Sequence, residues 1–176
     1  MRRDRANRVF IGIGSNIDPK QNILLGLNLL FKTEKVIGVS NFYRTCPIGM
    51  PGHPDFWNGV VAIETTHPPW ELKYCLLREI ESACGRIRTT DPYTPRTLDF
   101  DIVLYGGKVI RKTGLCIPDP DIRSRPFIAV PVFEIDPNVI VPDTGESISD
   151  IIGGMDTSRM EPLVDFNKLL QNICTL

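Results

Sequence analysis

Two helix-patterned stretches in this chain are separated by two strand-like runs rather than one, and that order leaves few folds open. The first helical stretch is "ILLGLNLLFK", in which Leu24, Leu27, Leu30 and Phe31 recur at helical spacing. The second is "HPPWELKYCLLREIESACG", with prolines at its start, Leu72, Leu76, Ile80 and Ala83 on one face, and a glycine at its end. An apolar run, "RVFIGIG", precedes the first helix and closes on the turn formers of "SNIDPKQN". Between the helices lie "VIGVSNFYRT" and "FWNGVVAIETT", both rich in β-branched and aromatic residues, and after the second comes "LDFDIVLYGGKVI", a strand, a Gly-Gly turn and a short return strand.

The order β-α-β-β-α-β predicts an α+β fold of the ferredoxin-like, split βαβ kind: an antiparallel sheet with helices packed on one face. For "FIAVPVFEI" periodicity leaves a short helix or a buried strand open, with the helix preferred, and a last helix is expected around "VDFNKLLQNI". With 176 residues and ordinary apolar content the chain is expected to form a single domain, its core over about 9–154 and a C-terminal tail over 155–176.

Twenty basic residues against twenty-one acidic ones leave a formal charge of -1, so no global field draws the chain to nucleic acid or to an anionic membrane. Any anion must be held locally. Five cysteines, irregularly spaced and without a C-x-x-C pair, argue against a disulfide framework or a zinc site and for a reducing cytoplasm. The start "MRRDRANRVFIGIG" is too short in its apolar part for a secretion signal, and nothing else approaches a membrane span. A cytoplasmic monomer is expected.

The segment "PRTLDFDIVLYG" sets two carboxylates one residue apart in an apolar strand. Alternation sends Leu98, Phe100 and Ile102 into the core and leaves Asp99 and Asp101 together on the other face. At a separation of about 7 Å and an effective dielectric of about 20, their repulsion is about 2 kcal/mol. On a solvated face, screening would reduce this to tenths of a kcal/mol, and the pair would mean nothing. The alternative is a magnesium site, since that hard cation takes one or two carboxylates together with water and phosphate oxygens. Arg86, Arg88 and Arg96 flank the strand, as phosphoryl transfer requires, although plain charge pairing with the aspartates accounts equally for their presence.

Other signals are weaker. "GIGSNI" begins like a dinucleotide-binding loop, but Ile17 stands where the last glycine belongs, so that reading is rejected; Gly12 and Gly14 are read as close-packing positions in preference to ligand contacts. His53 and His67 lack metal-ligand or triad spacing. Phe56, Trp57, Asn58 and Phe127 suit either a flat aromatic pocket with a polar reader or an ordinary core.

Taken together and in order, "IGIGSN", "SNFYRTCPIG", "HPDFWNGVVAIET", "IESACGRIR" and "PRTLDFDIVLYG" resemble hydroxymethyl-dihydropterin pyrophosphokinase, from about Val9 to about Asp143. The resemblance implies a ferredoxin-like fold and transfer of pyrophosphate from ATP to the hydroxymethyl group of 6-hydroxymethyl-7,8-dihydropterin, with AMP released. It implies that Asp99 and Asp101 hold two Mg2+ ions, and that Arg86 and Arg96 stabilise charge at the transferred group. Asn58 would hydrogen-bond the pterin, Phe56 and Phe127 enclose it, and Thr45, Pro47 and Ile48 shape the pocket wall. Tyr93 would lie in a closing loop, with Glu81 and Ile102 near the nucleotide and Arg88, Asp119 and Arg125 near its phosphates.

The chain departs from the family pattern in "CIPDPDI", where Asp119 replaces a histidine; it is expected either to pair with Arg123 or to join metal coordination through water. Phe56 stands where tyrosine is common and Tyr93 where tryptophan is common. The Asp119 change motivates an alternative from another class, a non-catalytic ferredoxin-like module that binds pterin or nucleotide without turnover.

Overall fold

The computed structural model describes residues 6–47, 52–90 and 94–174. β1 (Asn7–Ser15) leads into α1 (Pro19–Thr33), β2 (Lys35–Val39), β3 (Tyr43–Thr45) and β4 (Phe56–Thr65). α2 (Pro69–Glu71), a π turn (Leu72–Leu77) and α3 (Arg78–Ala83) follow end to end as one helical rod, ahead of β5 (Asp99–Tyr105) and the hairpin of β6 (Ile110–Lys112) with β7 (Leu115–Ile117). A 3-10 turn (Pro120–Arg123), α4 (Pro126–Ile135), α5 (Ile148–Gly153), β8 (Glu161–Pro162) and α6 (Val164–Cys174) complete the chain.

The sheet is antiparallel throughout, in the order β5-β1-β4-β3-β8, with β2 also bonded to β4. β2 pairs with residues 61–64 of β4 and β3 with residues 56–58, so the two make one interrupted edge strand. Counted so, the order is the split βαβ arrangement expected from the sequence.

Helices cover both faces of this sheet, not one. Val9, Ile11, Ile13, Val61 and Ile63 pack against α1, the helical rod and α6. On the other side Phe10, Val60, Ala62 and Val103 pack against Ala129 and Val132 of α4 and Ile148 of α5. The reason lies in β1 and β4, which are apolar at consecutive positions and therefore need cover on both sides. "FIAVPVFEI" is the helix that supplies it.

The π turn inside the rod changes which residues face the core. Leu72, Leu77, Ile80 and Cys84 are buried with Glu81, whereas Ala83 is exposed and Leu76 half-buried. A π turn inserts an extra residue per turn and rotates the downstream face, a shift that a uniform helical period misses. α6 adds Phe166 and Leu170 to the same core, with the Phe166 ring 5.0 Å from Trp57 and 5.4 Å from Phe42. Phe42 in turn lies on Gly59, where an added Cβ would come within 2.6 Å of the ring. Among the described residues no helix is long and apolar enough to cross a membrane.

Candidate active site

α4 and α5 cover only one end of their face of the sheet. On the other end Gly12 and Gly14 of β1, Phe56 and Asn58 of β4, and Asp99 and Asp101 of β5 form the open floor of a cleft of about 420 Å³. Thr45, Pro47 and His53 wall it on one side, Asp119 and Asp121 on another, and Arg125 and Phe127 at the start of α4 close its inner end. The two glycines therefore line the cleft, and the close-packing reading does not hold for them. In the register Gly14 lies between Asn58 on β4 and Asp99 on β5; a Cβ there would approach Asn58 Oδ1 to 3.0 Å.

Asn58 Nδ2 donates to Thr45 Oγ1 at 2.7 Å, and both side chains are buried at the cleft wall. This bond fixes the amide and leaves its Oδ1 directed over Gly14 as an acceptor, the arrangement that reads a heterocycle's N–H edge. Phe56 and Phe127 supply apolar faces, with the guanidinium of Arg96 5.7 Å from the first ring and that of Arg125 5.8 Å from the second.

The two aspartates share the face that alternation predicted, but their charges are compensated unequally. Asp99 meets Arg86 at 3.4 Å and is also clasped by Arg96. Among the described residues Asp101 has only Lys73, whose Nζ lies 3.5 Å from Oδ1. Its carboxyl stands deep among protein atoms, although half of its side-chain surface opens to the cleft, and its pKa is pushed up to about 6 by desolvation first and the charge of Asp99 second. Arg86 is nearly enclosed and burial lowers its pKa against the pull of Asp99, while its Nε and Nη1 find no hydrogen-bond partner. A guanidinium does not deprotonate in a protein, so these donors remain a held positive charge beside the carboxylates.

Around the edge of β5 a second pocket, of about 200 Å³, shares Asp99 and Asp101 with the first. Lys73, Tyr74 and Arg78 of the rod line it together with Glu81 and Arg88. Glu81 is 2 % exposed and accepts the Phe100 N–H at 2.8 Å, with Arg88 on its other oxygen; burial pushes its carboxyl up. Glu81 thus anchors β5 to the rod as well as lining the pocket.

Several sequence expectations are refined. The Ile102 side chain is buried in the core, so only its main chain is available to a ligand. Asp119 caps the 3-10 turn by accepting from the Asp121 N–H at 2.9 Å and lines the cleft, its carboxyl pushed up by burial. It does not pair with Arg123, which is turned away to Asp143 at 2.6 Å and Glu146 at 2.8 Å. Charge pairing of Arg86 and Arg96 with Asp99, the plainer of the two readings, is present in the ligand-free chain, and Arg125 pairs with Asp121 at 2.9 Å. Ile48 and Tyr93 lie outside the described residues.

Sequence reasoning passed over Asn16, Lys73, Tyr74 and Arg78. Asn16 is buried, accepts from the Arg96 N–H at 2.7 Å, and donates its own N–H to Arg96 O and its Nδ2 to Pro54 O, so it ties the segment before β5 to the cleft wall. Its only signal was a polar residue ending an apolar run. The other three sit on the helix's polar face, where a charged residue is unremarkable; only the fold shows that this face borders the acid pair. Among the described residues no cluster of three or more His, Cys, Asp or Glu side chains is suited to hold a metal alone.

An aromatic, amide-bearing recess and a cation-lined pocket that meet at paired carboxylates define a two-substrate phosphotransferase of the α+β class. The sequence profile of the 7,8-dihydro-6-hydroxymethylpterin-pyrophosphokinase (HPPK) family matches residues 10–137, and the chain belongs to that family. Relatives named 2-amino-4-hydroxy-6-hydroxymethyldihydropteridine pyrophosphokinase include one from Synechocystis sp., 35% identical over 158 residues, covering 87% of this chain and 78% of that protein. Another, from Haemophilus influenzae, is 36% identical over 138 residues and covers 77% and 85% respectively. Among solved structures the Plasmodium falciparum HPPK-DHPS chain with pteroate superposes with a TM-score of 0.68 at 13% identity, over 87% of this chain and 43% of that one. This chain therefore spans under half of that longer protein, and the likeness shows the shared fold. Family members transfer pyrophosphate from ATP to 6-hydroxymethyl-7,8-dihydropterin in folate biosynthesis.

Proposed function

We propose that the 420 Å³ cleft takes the pterin, that the pocket at the edge of β5 takes ATP, and that Asp99 and Asp101, where the two meet, hold Mg2+. The sharing of these two carboxylates by both pockets is the observation that carries the reading. A pair of carboxylates with no third protein ligand suits a hard cation that completes its shell with water and phosphate oxygens. Asp101 fits that role by position, since it lines both pockets and meets only the Lys73 ammonium among the described residues. Bound there, two Mg2+ ions would neutralise the phosphate oxygens of ATP.

The chain's own residues then do three things. Asn58, set by Thr45, reads the pterin edge while Phe56 and Phe127 hold its faces, so that its hydroxymethyl oxygen points toward Asp99 and Asp101. That oxygen attacks the β-phosphorus in line, forming the new O–P bond as the bond from the β-phosphorus to the α-phosphate oxygen breaks, AMP leaves, and the hydroxyl proton passes to solvent. Arg86 and Arg96, which pair with Asp99 in the ligand-free chain, would turn their donors to the transferred group and stabilise its charge. Glu81 fixes the edge of β5 against the nucleotide pocket, where Arg88 would meet phosphates; Arg125 lines the pterin cleft instead, and Ile102 lines neither pocket. Asp119, whose charge acts on Asp101 and which lines the same cleft, would add a third carboxylate near a cation held there. One chain supplies both pockets, in keeping with a cytoplasmic monomer.

The test is to mix protein, ATP, Mg2+ and 6-hydroxymethyl-7,8-dihydropterin and to follow AMP against pterin diphosphate. Equal amounts of both, abolished by a chelator and restored by Mg2+, are expected. ADP as the product, or turnover indifferent to chelation, would overturn the reading, and binding of both ligands without turnover would favour the non-catalytic alternative.

A further inference from the structure

The edge strand beside the pterin recess is interrupted at Ser40–Phe42, between β2 and β3, and side chains join two main-chain bonds, Ser40 N–H to Val60 O and Leu163 N–H to Phe42 O, in bridging the gap. Ser40 bonds β4 twice, its N–H to Val60 O at 2.9 Å and its Oγ accepting the Val60 N–H at 2.8 Å. The next N–H, of Asn41, goes to Glu134 Oε2 of α4 at 2.9 Å. The one after that, of Phe42, goes to Asn167 Oδ1 of α6 at 2.7 Å, while Asn167 Nδ2 returns a bond to Phe42 O at 3.1 Å. The Asn167 amide thus pairs with the Phe42 peptide as a neighbouring strand would, extending the short ladder in which β8 pairs Tyr43 with Pro162 and Arg44 with Glu161.

What hangs from this clamp is part of the recess. β3 is three residues long, and its last residue, Thr45, is the one that orients Asn58. So short a strand, paired with β4 over three residues and with β8 over two, takes its placement in part from what anchors the chain at the break just before it. Asn167 is 8 % exposed and buried beside Phe42, Phe166 and Leu163. It also lies beyond residues 10–137, the part that the family profile matches.

We infer that Asn167 is a positioning residue for the pterin: through Phe42 and β3 it sets Thr45, and through Thr45 the amide of Asn58. This rests on the assignment of the recess to the pterin. It makes the C-terminal helix a determinant of affinity for one substrate and not the other, because none of the residues that line the ATP pocket belongs to the clamp.

Direct binding of 6-hydroxymethyl-7,8-dihydropterin and, separately, of a non-hydrolysable ATP analogue with Mg2+ tests it in the full chain. Asn167→Ala is expected to raise the pterin Kd about tenfold, the usual size of a small misplacement of a binding group, and to leave the analogue Kd within about twofold. In the double variant with Thr45→Ala, the Asn167 change should add little to the pterin loss, since both act on one amide. Should Asn167→Ala not fold, Asn167→Asp, which keeps shape and the acceptor for the Phe42 N–H, decides by the same selectivity. A folded variant that binds pterin like the parent, weakens both ligands alike, or adds its full effect to that of Thr45→Ala overturns the inference. A parent protein that does not bind pterin sinks the assignment of the recess itself.

Discussion

Lys73 reaches from the middle of the π turn to within 3.5 Å of Asp101 and is its only ion-pair partner among the described residues. It occupies, in the ligand-free chain, the ground that a cation would take beside that carboxylate. Lys73 also lines the neighbouring pocket, where its ammonium would meet ATP phosphates if a cation took its place beside Asp101. Lys73→Met is therefore expected to raise the KM for ATP about fivefold to tenfold, the usual effect of losing one charged hydrogen bond, with the pterin KM unchanged. Steady-state kinetics with each substrate varied in turn would show it, and equal rises in both KM values would count against it.

Asp101→Asn should separate stability from turnover. A carboxyl whose folded pKa is raised binds its proton more tightly in the native state than in the unfolded one. Its contribution to stability is therefore least favourable above about pH 6 and improves as the pH falls through that value toward the ordinary carboxylate range. The variant is expected to melt higher than the parent near neutrality, with the gap closing under acid conditions, while AMP formation falls at least about 100-fold. Melting curves and rates across the same pH series test both halves, and a variant that melts lower at neutral pH would contradict the sign.

Arg86 and Arg96 share Asp99, and the proposal gives them work at the transferred group once that sharing ends. Arg96→Ala is expected to lower kcat by at least about tenfold to 100-fold with modest change in either KM, as for loss of a donor that acts on developing charge. An unchanged kcat would return Arg96 to simple charge pairing.

Gly14→Ala tests the floor of the recess. The added Cβ would stand 3.0 Å from Asn58 Oδ1, and both neighbours in the sheet are fixed by pairing, so the amide is the group that must yield. The expected result is a pterin KM raised about tenfold with the ATP KM little changed, since a displaced binding group costs of that order. A crystal structure of the variant should show the Asn58–Thr45 bond lengthened or lost.

Much of this was legible in the chain. The β-α-β-β-α-β order gave the sheet, and strict alternation placed Asp99 and Asp101 opposite Phe100 and Ile102, as found. The helix pattern failed at the π turn, because nothing in "LKYCLLRE" marks the extra residue that brings Glu81 into the core. The split of the helices between two faces was implicit in consecutive apolar residues such as Phe10 and Ile11, but alternation alone cannot say which side is left uncovered. Family resemblance named Asn58 and Phe127. It could not name Asn16, Lys73 or Asn167, whose parts depend on distant backbone groups that only the folded chain brings within reach.

Over residues 99–102, β5 carries packing on one side and chemistry on the other, before a register shift against β1 sets Val103 and Leu104 both into the second core. A slip of one residue against β1 would turn both carboxylates into the oily interior and push Phe100 and Ile102 out over the glycines. Misfolding and loss of chemistry would then be a single event, so a chain that has settled its interior correctly has, by the same act, aimed its acids.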